Sequence, residues 1–320
     1  MTYEELILRQ SWSLHQKIDH AVGVIESFLV HTDNKAYISF SGGKDSTVML
    51  DIARRFVKKD IPAVFGSTGN EFPEVVRFVK TFDNIIIIRP KMGVKEVIEK
   101  YGFPLISKEQ SQHIRECRQT KSEKLRNKRL NGDINKNGRV IGKVSDMWKF
   151  LIDAPFEVSE QCCSKLRKAP FKIFEKETGL YPIIGTMAEE SSIRLQKWLK
   201  QGCNSFESGR IGSYPISIFT EKDIWEYGKE FNIPFCSIYG KGMRRTGCMV
   251  CGFGCHLEPE GYSRFDVLYN LRPKLYEVVM SYSNSGVTYR EALEYIGIKL
   301  PDSKDRQLSL FKMQDFYDEK

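Results

Sequence analysis

Apolar positions along the chain switch between helical and extended periods. Leu14, Ile18, Val22, Ile25 and Leu29 recur at steps of three and four, which puts them on one face and predicts a helix over residues 3–30. Residues 36–40 read as a strand, a glycine loop follows, and a second helix starts near Asp45 with Val48, Met49, Ile52, Ala53 and Phe56 as its apolar positions. Residues 62–65 predict another strand. Phe72-Pro73-Glu74 opens a helix, since proline suits a first turn and an acid there suits the helix dipole. The continuous run Ile85-Ile86-Ile87-Ile88 predicts a strand buried on both faces. The pattern resumes with a strand at 181–185, a helix over 189–200, a strand at Tyr214-Pro215-Ile216, a helix start at Thr220 and a capping box at Thr288-Tyr289-Arg290-Glu291. Strand and helix in alternation predict an α/β fold: a mostly parallel twisted sheet with helices on both faces and right-handed connections.

One stretch breaks this rhythm. From Gln112 to Lys143 there are ten Lys or Arg against three acids, little apolar periodicity, and turn signals at Asn131-Gly132-Asp133 and Asn135-Lys136-Asn137-Gly138. It reads as a basic insertion or mobile arm whose Arg115, Arg118, Lys121, Lys124, Arg126, Lys128 and Arg129 line one helical flank, a surface for nucleic acid or simply a solvated one. The expected organisation is an N-terminal helix over 1–34, a nucleotide-binding α/β domain over 35–240 carrying that insertion, and a Cys-rich segment with C-terminal helices over 241–320, the last twenty residues frayed. No run of 18 apolar residues is present, so no membrane span is expected. The acidic N-terminus lacks a signal pattern, and a cytoplasmic location is the default. The net charge of +8 leans toward anionic partners.

The loop between the first strand and the second helix is Ser41-Gly42-Gly43-Lys44-Asp45-Ser46-Thr47. Two glycines let backbone amides turn inward, the helix N-terminus adds unpaired N–H donors, and Lys44 adds a full charge. Ser41, Ser46 and Thr47 bring hydroxyls, so the loop has the parts of a pyrophosphate cradle. The spacing of glycines to lysine is wrong for a Walker loop.

This loop resembles the PP-loop signature of ATP pyrophosphatases, a superfamily with an adenine nucleotide alpha hydrolase-like fold whose members cleave ATP between the α and β phosphates. Downstream, Ser67-Thr68-Gly69-Asn70-Glu71-Phe72-Pro73-Glu74 resembles the second signature of the PAPS reductase branch, with Ser67 where an aspartate is usual. The resemblance implies nucleotide contacts for residues Ser41 to Thr47 and for Thr68 and Gly69, with ATP and Mg²⁺ as ligands. It implies that Asp45 approaches the metal ion. Gly185-Thr186-Met187-Ala188-Glu189-Glu190-Ser191-Ser192-Ile193-Arg194 resembles the segment that carries two arginines in the reductases. Arg194 matches the second and is the expected phosphate or sulfate clamp; Met187 replaces the first. Lys44, Asp45 and Arg194 are thus the expected catalytic residues.

Of eight cysteines, Cys117, Cys203 and Cys236 are scattered, while Cys162-Cys163 are vicinal and Cys248, Cys251 and Cys255 are grouped. In a reducing compartment such clusters point to metal or redox work. Four thiolates from two segments suit a [4Fe-4S] cube or a zinc site; Cys248 and Cys251 also fit a dithiol. Gln161-Cys162-Cys163 followed far downstream by Cys248-Met249-Val250-Cys251 resembles the iron-sulfur branch of APS/PAPS reductases, which implies a [4Fe-4S] cluster on Cys162, Cys163, Cys248 and Cys251. A set of Cys236, Cys248, Cys251 and Cys255 resembles instead the cluster segment of the DNA-phosphorothioation sulfurtransferase.

Two departures bear on the reaction. The reductases carry a nucleophilic cysteine near the C-terminus, and no cysteine follows Cys255 here. The loop is the full form, which resembles the ATP-using members. Both favour an ATP-dependent enzyme that adenylates an acceptor for sulfur transfer, with a sulfur-donor protein as a partner. Two alternatives stay open: a sulfonucleotide reductase using Cys255 or a partner's thiol, and a non-catalytic, nucleotide-sensing, nucleic-acid-binding regulator.

Overall fold

A computed structural model describes residues 1–207, 211–243 and 245–302. Arg244, next to the Cys-x-x-Cys, and the end expected to fray fall outside the described residues, apart from 301 and 302. The chain divides into two compact units that interleave in sequence: residues 1–67, 71–89 and 169–246 form the first, and 68–70, 90–168 and 247–320 the second.

The first unit is built on strands β1 (Ala36–Ser39), β2 (Ala63–Gly66), β3 (Ile85–Ile88), β4 (Tyr181–Ile184), β5 (Asn204–Ser205) and β6 (Gly212–Ser213). Their spatial order is β3-β2-β1-β4-β6-β5, parallel throughout except for the β5–β6 pair. Ile38 stands between Ala63 of β2 and Ile183 of β4. The flanking helices are α1 (Tyr3–Gln10), α2 (Leu14–His31), α3 (Lys44–Ile52), α4 (Pro73–Val79), α5 (Ala169–Thr178), α6 (Ser192–Gln201) and α7 (Glu221–Glu230). This is the expected α/β class, a largely parallel sheet flanked by helices. The chain runs outward from β1 through β2 to β3, then returns to β4 on the other side of β1. Strand order therefore reverses between β1 and β4, and ligands of open α/β sheets bind at such a reversal, beyond the carboxyl ends of the strands.

Three sequence expectations change in this unit. The helix expected over 3–30 is two helices, because Ser13 caps α2 with a box to Gln16 and the chain turns at residues 11–13. The isoleucine run of β3 is an edge strand, not one buried on both faces: Ile86 and Ile87 are 38% and 37% exposed. A continuous apolar run does not by itself separate a central strand from an edge one. The strand expected at Tyr214-Pro215-Ile216 ends at Ser213, and the chain turns through Ser217 N–H to Tyr214 C=O and Phe219 N–H to Ile216 C=O. Pro215 has no N–H to give a ladder.

A buried ion pair ties α2 to α7. Lys17 Nζ donates to both carboxylate oxygens of Asp223, at 2.9 and 2.7 Å, and both residues are almost fully buried. Asp223 also accepts from the backbone N–H and hydroxyl of Thr220, so it closes the cap of α7 as well.

In the second unit, residues 105–106 pair in parallel with 252–253. Phe103 stacks on Tyr289 at 5.2 Å and meets Phe156 edge-on. Helices Arg264–Leu271, Pro273–Met280 and Tyr289–Tyr295 follow the cysteine segment. The basic stretch, expected as an insertion or mobile arm with little core pattern, carries regular elements. Helix Lys108–Gln119 buries Ser111, His113, Ile114 and Cys117, a stripe too small and polar to register as hydrophobic periodicity. Helix Glu123–Asn131 buries nothing, and a two-stranded ribbon follows at 133–134 and 140–141. Nor do all its cations line one free flank. Arg115 binds Glu160, Arg118 donates to the Phe156 carbonyl, Arg129 bridges Glu116 and the Gly142 carbonyl, and Lys128 meets Asp133.

Breaking the Lys17–Asp223 pair leaves one charge buried without its counterion. Asp223→Ala should cost about 3–5 kcal/mol, read as a fall in the urea midpoint at unchanged slope. A fall no larger than that of an exposed control such as Glu226→Ala would show that the pair does not hold the helices.

Candidate functional site

The loop leaves β1 at the reversal point and its geometry is set by glycine. Gly42 has φ +69°, and a Cβ there would come within 2.8 Å of Val79 and 2.9 Å of Val75 on α4. Gly43 is the N-cap of α3, and a Cβ on it would fall 2.7 Å from the Thr246 hydroxyl. Gly185, directly after β4, packs against α3: its Cβ would meet Met49 Cβ at 2.9 Å and the Asp45 carbonyl at 3.0 Å. The helix N-terminus is thus seated at the sheet by three positions without side chains.

Hydroxyls fix the turn. Thr47 Oγ1 and Ser46 Oγ both donate to the Gly43 carbonyl, at 2.9 and 3.0 Å. Ser41 N–H donates to Ser46 Oγ, and the two serine hydroxyls lie 3.0 Å apart. Thr47 is 1% exposed, so it shapes the loop from within. Lys44 is buried, and its ammonium binds Asp45 at 2.9 Å and Glu221 at 3.5 Å. Burial by itself would lower the Lys44 pKa, but the hydrogen bond and charge of Asp45, with Glu221, outweigh it and hold it above the ordinary lysine value. The first backbone amide of α3, Lys44 N–H, donates to the Tyr239 hydroxyl at 2.8 Å. Arg194, in the first turn of α6, is paired with Glu190.

Ser41 to Thr47 and Arg194 belong to the first unit; Thr68 and Gly69 belong to the second. Thr68 is buried and its hydroxyl accepts from Asn70 N–H; Gly69 has φ +76°. Asn70 in turn accepts from Met249 N–H with its carbonyl and from Val250 N–H with Oδ1, which holds the start of the Cys-x-x-Cys turn.

Cys162, Cys163, Cys248 and Cys251 all fall in the second unit. Cys162 donates to Cys163, which raises Cys162, helped by burial and by the charges of Cys163, Cys251 and Cys248. The same hydrogen bond lowers Cys163, with Lys108, Arg167 and Lys168 adding to it. Cys162 therefore senses the other three thiols. Burial raises Cys251, opposed by Arg264, whose guanidinium also donates to the Cys251 carbonyl. Among the described residues, no three Cys, His, Asp or Glu side chains close around a single metal ion. Cys255 is buried and its thiol is pushed up to about 12, chiefly by burial. Cys236 is also buried and belongs to the first unit.

Sequence reasoning missed Tyr239, Thr246 and Glu221 beside the loop and Arg264 beside Cys251. Tyr239 and Thr246 do lie in the segment that leads to the cysteine motif, the one signal that pointed there.

A glycine loop at the reversal point of a parallel sheet defines a doubly wound α/β protein. Residues 35–252 match the phosphoadenosine phosphosulfate reductase domain, and the chain belongs to that family. It is 25% identical over 219 residues to a phosphoadenosine 5'-phosphosulfate reductase of Xylella fastidiosa, covering 68% of this chain and 73% of that protein. It is 24% identical to each of two uncharacterized proteins of Methanocaldococcus jannaschii, covering 76% and 72% of this chain but only 49% and 39% of theirs. The chain thus spans about half or less of those two relatives. A crystal structure of a PAPS reductase from Candida auris in a phosphate complex aligns with TM-score 0.42 at 16% identity, over 78% of this chain and 96% of that one. The family is one of nucleotide-binding enzymes of sulfur metabolism, which fits an adenosine nucleotide as partner. No described helix is long and apolar enough to cross a membrane.

Gly42→Ala should destabilise the protein by more than the ~1–2 kcal/mol of left-handed strain alone, because the new methyl meets Val75 and Val79. Gly43→Ala, at φ −84°, should cost less. Urea denaturation of both variants checks this, and equal costs would contradict it.

Proposed function

We propose that this protein is a cytoplasmic, ATP-dependent enzyme of the PAPS reductase family that adenylates an acceptor for sulfur transfer and carries a [4Fe-4S] cluster. The observation that carries the reading is the glycine loop at the sheet reversal, with Lys44 and the first amides of α3 brought to one place. An acceptor oxygen attacks the α-phosphorus of ATP, the bond to the β-phosphate oxygen breaks, and pyrophosphate leaves; Mg²⁺, when bound, would spread the phosphate charge. A sulfur nucleophile then attacks the activated acceptor and displaces AMP together with that oxygen. In this scheme the loop amides and Lys44 hold the phosphates and Asp45 approaches Mg²⁺ once Lys44 turns to the nucleotide. Arg194 is the clamp on phosphate if it releases Glu190.

The donor set Cys162, Cys163, Cys248 and Cys251 suits an iron-sulfur cube. Cys162 feels the charge of the other three thiols, Lys108 and Arg167 favour the thiolate of Cys163, and Arg264 and Arg167 favour that of Cys251. When bound, such a cluster supplies a soft thiophilic centre. The reductase alternative requires a nucleophilic thiol, and Cys255, buried and pushed up to about 12, is poorly placed to supply one.

The basic stretch supports a nucleic-acid acceptor. Lys121, Lys124, Arg126, Lys136 and Arg139 are exposed and make no ion pair among the described residues, whereas Arg115, Arg118, Lys128 and Arg129 are engaged internally.

Protein purified without oxygen should be brown and bleach with dithionite, and Cys163→Ala or Cys251→Ala should lose the colour while Cys117→Ala keeps it. Stoichiometric zinc with no iron would overturn the cluster. Incubation with α-labelled ATP and duplex DNA, single strands or tRNA should release pyrophosphate and label one of these acceptors with adenylate, and adding sulfide as the sulfur nucleophile should then release the label as AMP. ATP left intact with every acceptor contradicts adenylation of a nucleic acid. Replacing Lys124, Arg126, Lys136 and Arg139 by Ser should make nucleic-acid binding less salt-dependent, the logarithmic slope falling by roughly one for each phosphate no longer neutralised. An unchanged slope would make the arm a solvated surface.

A further inference from the structure

In the reading above, pyrophosphate docks at the N-terminus of α3, and in the structure that place is taken by the protein itself. The Tyr239 hydroxyl accepts from Lys44 N–H at 2.8 Å, the first free amide of the helix. The Thr246 hydroxyl lies against Gly43. Lys44 Nζ is turned to Asp45 and Glu221. Neutral hydroxyl oxygens and side-chain carboxylates thus occupy the donors that a phosphate would use.

We infer that Tyr239 is a gate on the nucleotide site: its hydroxyl stands in for a phosphate oxygen and must leave Lys44 N–H before an adenosine nucleotide can bind there. This rests on the assignment of the nucleotide to the glycine loop. A phosphate oxyanion is the stronger acceptor, since charge-assisted hydrogen bonds are about twice as strong as neutral ones. The exchange therefore runs toward the nucleotide, but the closed form lowers apparent affinity by the fraction of molecules it holds. The gate is anchored from behind. Tyr239 begins a single helical turn, Tyr239–Lys241, and Lys241 Nζ binds the buried Glu74 of α4 at 3.0 Å. Tyr239 also rests edge-on against Trp225 at 5.9 Å, and Trp225 is 41% exposed. Departure of the tyrosine changes the surroundings of a half-exposed indole, which makes Trp225 a reporter.

The test is calorimetric titration of wild type, Tyr239→Phe and Lys241→Gln with ATP and Mg²⁺, with tryptophan emission followed in parallel and Trp225→Phe as the emission control. Tyr239→Phe removes one neutral hydrogen bond from the closed form and should bind ATP roughly 2- to 10-fold tighter. Lys241→Gln, which frees the turn without touching the loop, should also bind tighter and remains informative if Tyr239→Phe does not fold. Saturating ATP should shift the wild-type emission, and Trp225→Phe should lose that shift. Equal affinity of the variants and wild type overturns the gate, and weaker binding by Tyr239→Phe makes the tyrosine a nucleotide contact instead. ATP binding with an unshifted emission also overturns it. If no variant binds ATP while all keep native melting curves, the nucleotide assignment itself fails and takes the gate with it.

Discussion

The left-handed turn at Gly42, wedged against Val75 and Val79, is the constraint on which the loop depends. A side chain there would push α4 away from the loop or straighten the turn. With the turn in place, Gly43 caps α3, and the Ser46 and Thr47 hydroxyls lock onto the Gly43 carbonyl. The helix then presents its first amide and Lys44 at the point where strand order reverses. Gly185 completes the seat from the end of β4 by admitting the α3 backbone to within a methyl's reach. Backbone donors at a helix start carry partial positive charge without a mobile side chain, which makes the seat rigid as well as polar.

The second unit solves a different electrostatic problem. Neighbouring thiols repel once ionised, and burial opposes ionisation further. The fold offsets this with Lys108, Arg167 and Lys168 near the vicinal pair and Arg264 at Cys251. Asn70 and Tyr289 fix the backbone of the Cys-x-x-Cys turn through the Val250 N–H and C=O, so the thiols are carried on an anchored segment. Arg115 and Glu160, just before Cys162, tie the vicinal pair to the first helix of the basic stretch.

The sheet was legible because its strands alternate with helices at regular spacing and its glycine loop sits where strand gives way to helix. What the sequence hid follows from local competition. Ser13 and Gln16 form a capping box that ends one helix and starts another inside a continuous apolar stripe. The run at 85–88 carries no mark of its place at the sheet edge. The helix at 108–119 packs through Ser111 and Cys117, residues too small to show as a stripe, and so looked like a free arm. In the site, the residues of the glycine loop could be named from the chain alone. Tyr239, nearly two hundred positions downstream, reaches Lys44 only through the tertiary fold, and no periodicity announces it.

The central claim is that the loop takes ATP. Calorimetry of ATP and of PAPS, each with Mg²⁺, against wild type and Lys44→Ala measures it most directly. The account predicts that ATP binds more tightly than PAPS and that Lys44→Ala abolishes ATP binding without loss of fold. Tighter binding of PAPS, or ATP affinity unchanged in Lys44→Ala, would contradict it.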